Sequence, residues 1–169
     1  MFPALAAVAD PLFQVDVNVD FNPVANVVGS AVGTFLTTLI VGAILVAIAP
    51  AFLEDRMAAV LDDPVGSFVY GVLVLIFLAL AILVLFVTII GVVVALPLAL
   101  LAYVVWAVGA AVAFLAIADR VVDREGDDWT TALVVAAAMN GGLVLTGVGG
   151  IIAFCIGAAG FGAVLEDRL

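Results

Sequence analysis

An all-α integral membrane bundle is the fold class this sequence predicts, and three observations predict it. From Pro64 to Ala118 no charged residue interrupts an apolar run, and the run is long enough for two crossings because one spanning helix needs about 20 mostly apolar residues. Hydrophobic residues make up 68% of the 169-residue chain and mean hydropathy is +1.48, values of a multispanning protein rather than of a soluble domain with its own core. The arginines, Arg56, Arg120, Arg124 and Arg168, recur after alternate apolar segments. Together these give a single helical membrane domain over residues 24–169. It is a bundle of about five transmembrane helices, the last two short, behind a short extended N-terminal leader over residues 1–23.

The leader begins with an apolar stretch broken by Pro3 and Pro11, too short to span. It has no basic region ahead of a long apolar segment, so it reads as a retained segment and not as a signal peptide. Val15, Val17, Val19 and Phe21 then alternate with Asp16, Asn18, Asp20 and Asn22, the period-two pattern of a strand with one wet face. The polar row resembles the start of a calcium loop. However, Phe21 stands where the loop needs its Gly and Val27 where it needs its Glu. An extended leader, strand addition to a partner and cation binding remain as readings of this segment.

The first span is expected over residues 24–52, with Asn26 near its start. Gly29 and Gly33 form a G-x-x-x-G that lets another helix approach closely. Thr34, Thr37 and Thr38 follow, and their hydroxyls can bond back to helical carbonyls without any ligand. Pro50 kinks or tightens the final turn. Residues 54–63 form a charged linker of one or two interfacial helical turns. Asp62 and Asp63 before Pro64 start the second span, over residues 65–86, because a carboxylate can cap and Pro loses nothing in a first turn.

The connection "VTIIGVVVALPL" carries no charge, and Gly91 and Pro97 punctuate it. So apolar a connection is expected to fold back against the bundle at the interface. The third span, over residues 97–118, holds Tyr103, Trp106 and Gly109, with Trp106 at a packing position. Residues 119–128, "DRVVDREGDD", read as a solvated loop. Asp127 or Asp128 caps the fourth span, and Trp129 anchors it at the interface. Residues 129–146 and 149–165 are two short spans joined by a glycine-rich turn, with a re-entrant pair as the rival. Asn140, the amide near mid-membrane, is expected to hydrogen-bond between helices.

Five spans put every arginine on one face, which the positive-inside rule makes cytoplasmic. The localisation expected is therefore a multi-pass cell-membrane protein with its N-terminus outside and its C-terminus in the cytoplasm. The chain has no Lys and no His, fourteen Asp plus Glu, and a net charge of −10. That balance excludes nucleic acid as a partner and points to a halophilic archaeon, where dense carboxylates keep surfaces hydrated. Cys155 has no second cysteine to pair with and no His to activate it, so it reads as a buried structural thiol.

The segments "VTIIGVVVALPLALL" and "NGGLVLTGVGGIIAFCIGAAGFGAVLEDR" resemble a small polytopic membrane domain of unknown function, haloarchaeal in type. That domain is often attached to bactofilin-like polymer-forming proteins. The resemblance covers roughly residues 28–167 and implies an anchor or scaffold for a cytoskeletal or envelope assembly, although this chain carries no β-helix domain. No nucleophile with a base and no paired carboxylates lie at depth, so no catalytic residue, cofactor or metal site is expected. The residues singled out are Gly29, Gly33, Gly91, Pro97 and Asn140, all as helix-packing positions. The expected partners are the lipid bilayer, a cytoskeletal or envelope protein, and a second copy of the chain. A small transporter or channel using the glycine-rich turn is the alternative function.

Overall fold

The computed structural model describes residues 23–122 and 128–166. The leader, Arg124, Asp127 and Arg168, with the expectations attached to them, lie outside the described residues. Six helices follow in order: α1 Pro23–Ile48, α2 Pro50–Asp62, α3 Pro64–Phe86, α4 Ile89–Val122, α5 Thr130–Leu145 and α6 Gly149–Leu165. No strand occurs among the described residues. Three helices, α1, α3 and α4, are long and apolar enough to cross a membrane, while α5 and α6 are shorter apolar helices. By length and composition, this is an all-helical fold able to span a membrane.

Two boundaries differ from the sequence reading. The first span does not run on to residue 52, because it breaks at Ala49, where φ is −140° and ψ is 58°. Pro50 is the cause: the residue before a proline is pushed out of the helical region, while proline itself fits the first turn of the next helix. The connection after α3 does not fold back at the interface either. It is a two-residue turn, and α4 then runs 34 residues with Pro97 inside it. In hydrocarbon an interrupted helix has no water to satisfy its freed backbone groups, so the chain keeps its helix through the proline.

The helices pack as a wedge. α6 lies between α3 and α4, and α1 lies along α5. α2 caps one end, burying Leu53, Met57 and Val60 against Phe114 and Leu115 of α4. These three residues fall at i, i+4 and i+7, one face of an amphipathic helix. Trp129, expected at the interface, is only 9% exposed and belongs to this same cluster. α3 starts as its sequence dictates: the Gly66 amide donates to Asp63 Oδ1 at 2.9 Å, and Pro64 sits in the first turn.

Candidate functional site: a charged end, a glycine seam and a polar cleft

Every charged side chain among the described residues lies at one end of the bundle. Glu54, Asp55, Arg56, Asp62 and Asp63 belong to α2 and its junction with α3. Asp119 and Arg120 end α4, Asp128 precedes α5, and Glu166 follows α6. Arg56 organises this end. Its guanidinium donates to the Ala163 carbonyl at 3.0 Å and the Glu166 carbonyl at 2.7 Å, so a cation satisfies the last turn of α6, where carbonyls otherwise lack partners. It also lies 5.3 Å from the Phe52 ring centroid, and its Nε, 3.8 Å from an Asp55 carboxylate oxygen, is buried without a hydrogen bond. The Thr130 amide, and then its hydroxyl, hold the exposed Asp128 carboxyl below the usual carboxylate range. No group of three or more metal-ligating side chains occurs among the described residues.

The opposite end carries two near-identical turns. In the first, Thr88 Oγ1 donates to the Leu85 carbonyl at 3.2 Å and accepts from the Gly91 amide at 3.0 Å. In the second, Thr146 Oγ1 donates to the Leu143 carbonyl at 2.9 Å and accepts from the Gly149 amide at 3.1 Å. A Cβ on Gly91 would strike the Leu85 carbonyl, and one on Gly149 the Leu143 carbonyl. The pattern L-x-x-T-x-x-G therefore occurs twice, at 85–91 and 143–149. It was available in the sequence but is masked by the surrounding apolar residues. Gly147, at φ 69°, closes the second turn in a conformation that favours glycine.

Between the ends, α6 packs through its backbone. A Cβ on Gly162 would meet the Ser67 carbonyl of α3, and one on Gly160 the Gly109 carbonyl of α4. Gly71 and Gly109 would meet α6 backbone in return, and Gly157 abuts the Trp106 ring. Gly29 and Gly33 behave differently, because nothing lies within 4 Å of a Cβ built on either. α1 instead approaches α5 on its other face, where a Cβ on Gly141 would lie 2.9 Å from the Ala31 carbonyl. Of the other residues singled out, Pro97 lies exposed on α4. Buried Asn140 donates from Nδ2 to Thr38 Oγ1 at 2.8 Å, joining α5 to α1.

That hydrogen bond lies at the wall of a cleft of about 400 Å³. α1 contributes Ser30, Gly33, Thr34, Thr37 and Thr38, α4 contributes Tyr103 and Trp106, and α5 contributes Asn140. Thr37 Oγ1 donates to the Gly33 carbonyl at 2.8 Å. Trp106 is held from behind, stacked on Phe154 at 5.3 Å and tilted against Phe161 at 6.0 Å. The cleft mixes hydroxyls and one amide with apolar surface from Trp106, Ala107 and Ala110, and among the described residues no charged side chain lines it. Sequence reading treated its threonines and Asn140 separately; their shared small polar character was visible, but not that α4 brings two aromatics to face them.

A family model described as a domain of unknown function, DUF8173, matches residues 2–169. The chain belongs to the DUF8173 family. No curated protein and no solved structure matches it. For this DUF8173 member, the charged end, the glycine seam and the polar cleft are the features from which function has to be argued.

Proposed function

We propose that this protein is a non-catalytic, multi-pass anchor or scaffold in the cell membrane, holding a cytoskeletal or envelope assembly. The observation that carries this reading is the gathering of all described charge onto one end of a bundle whose α6 seam is closed by backbone contact. A rigid apolar body with one hydrophilic end suits attachment, and no group at depth suits chemistry. The bundle crosses the membrane five times. Arg56 and Arg120 make the charged end cytoplasmic by the positive-inside rule, which puts the start of α1 outside and the end of α6 inside. The partner is a filament-forming or envelope protein, as the resemblance to domains attached to bactofilin-like proteins implies, and the acidic, lysine-free composition fits a halophilic archaeon. A second copy of the chain is a further partner. Co-purification from native membranes at high salt tests the reading. Stoichiometric recovery of such a partner, lost on neutralising Glu54, Asp55 and Asp62, is the expected outcome. Recovery of the chain alone, or of a partner indifferent to those changes, contradicts it.

The polar cleft favours one second reading, a small transporter or channel. Flux in reconstituted vesicles that changes with Asn140→Leu supports that reading, and absence of flux across ions and small solutes removes it.

A further inference from the structure

We infer that the cleft between α1, α4 and α5 is a binding site for an uncharged, lipid-soluble molecule bearing carbonyl acceptors, of the isoprenoid quinone class. The inference requires only that α1 and α4 lie in a bilayer and is independent of the scaffold reading. Depth comes first. Ser30 to Thr38 lie roughly 10–22 Å along α1 from Pro23, at 1.5 Å per residue, and both α1 and α4 are long enough to span. A molecule reaching this site therefore arrives through the apolar phase, which disfavours sugars and other highly hydrated polyols.

Charge comes second. Among the described residues no Asp, Glu or Arg lines the cleft, so a carboxylate or phosphate would enter without a counter-charge from them and lose its hydration. A plain hydrocarbon fits less well, because it offers no acceptor to the hydroxyls that line the cleft: Ser30 and Thr34 can bond back to helical carbonyls, but the Tyr103 phenol has no such partner in its own helix. The donors decide between the remaining classes. Thr38 Oγ1 accepts from Asn140, which leaves its own proton to donate. Ser30, Thr34 and Tyr103 can donate as well. Carbonyl oxygens on a planar ring answer such donors. Trp106, fixed by Phe154 and Phe161, supplies a rigid flat wall for that ring. A cleft of about 400 Å³ lies within the range of small-ligand sites, and Gly33, with open space where a Cβ would stand, leaves room for an isoprenoid tail to pass to lipid.

The test uses the full chain in nanodiscs, with empty discs as the blank. Binding of menadione is compared with that of 2-methylnaphthalene, which has nearly the same shape and no carbonyl. Saturable menadione binding at one site per chain is expected, with the hydrocarbon showing only partitioning. Ser30→Ala, Thr34→Val and Tyr103→Phe combined are expected to weaken menadione binding about tenfold or more, as loss of several hydrogen bonds implies. Leu100→Ala, on an exposed face of α4, leaves it unchanged. If the combined variant does not fold, Tyr103→Phe alone decides. Tyr103 is 60% exposed, so its hydroxyl can be removed without disturbing packing, and about a threefold loss is expected. Menadione that partitions no better than the hydrocarbon, or that binds the hydroxyl-deleted protein as tightly as the wild type, overturns the inference.

Discussion

α6 and α1 are both rich in small residues, yet they use them in opposite ways. On α6, Gly160 and Gly162 touch the backbones of two different helices, so the glycines are consumed by contact. On α1, Gly29 and Gly33 touch nothing, and the same helix presents hydroxyls to an open cleft. What separates them is the partner. α3 offers Ser67 and Gly71, and α4 offers Gly109, small positions at matching heights. The part of α4 that lines the cleft with α1 offers Tyr103 and Trp106 instead, large rings where the seam has small residues. A G-x-x-x-G marks a helix able to approach closely; whether it does depends on small residues elsewhere in the chain.

The largest expected effect breaks the seam. Gly162→Leu or Gly160→Leu places a side chain into neighbouring backbone, which cannot give as a rotamer can. The loss should therefore exceed the about 1–3 kcal/mol usual for overpacking and abolish a cooperative unfolding transition in mild detergent. Gly29→Leu and Gly33→Leu should change the stability of the isolated chain by no more than about 0.5 kcal/mol. Equal damage from the two pairs would erase the distinction between the helices.

Next comes the cap on α6. Arg56→Gln removes two charge-assisted bonds to carbonyls of the last turn and is expected to lower stability by about 1.5–3 kcal/mol. Faster hydrogen exchange should appear first at residues 162–166. Uniform acceleration along the chain would mean that Arg56 supports α2 and not the end of α6.

A smaller effect sharpens the account of the α1 side. Asn140→Leu deletes the bond to Thr38. Interhelical bonds of this kind contribute about 0.6 kcal/mol on average, because the unfolded chain in the membrane also finds partners. A double-mutant cycle with Thr38→Val should return a coupling of about that size, and a coupling near zero would mean that the pair does not join the helices.

The smallest concerns Asp128. Its carboxyl is held low in the folded chain by Thr130, so its stabilisation of the start of α5 is present above the ordinary carboxylate value. It is lost as pH falls through the depressed folded value. Protection of the Thr130 amide should fall over that acidic window in the wild type and stay flat in Asp128→Asn, which keeps an acceptor that does not titrate.

The sequence made the helical membrane class legible because lipid imposes a length and a composition that 68% hydrophobic residues satisfy. The start of α3 was equally legible, since Asp63 and Pro64 act within one turn. The start of α4 was not. Pro97 is a strong local signal for a break, but the apolar surroundings outweigh it by denying its backbone any alternative partner. The glycine seam was legible on one side only: Gly157, Gly160 and Gly162 stand close together on α6 and permit close backbone contact, but Gly71 and Gly109 are far from them in the chain, and only the fold brings them to one wedge. Trp129 was expected at the interface because tryptophan favours that zone; it stands at the charged end next to Asp128, and there it packs into the cluster beneath α2.

Accessibility of single cysteines tests the central contrast most directly. In a Cys155→Ser background, Thr34→Cys on the cleft and Ala158→Cys on the seam would each be exposed in nanodiscs to a membrane-permeant maleimide. The account predicts labelling at position 34, slowed because apolar surroundings keep the thiol protonated, and none at 158 until the protein is unfolded, since Ala158 is fully buried. Equal labelling at the two positions, or labelling at 158 alone, would contradict it.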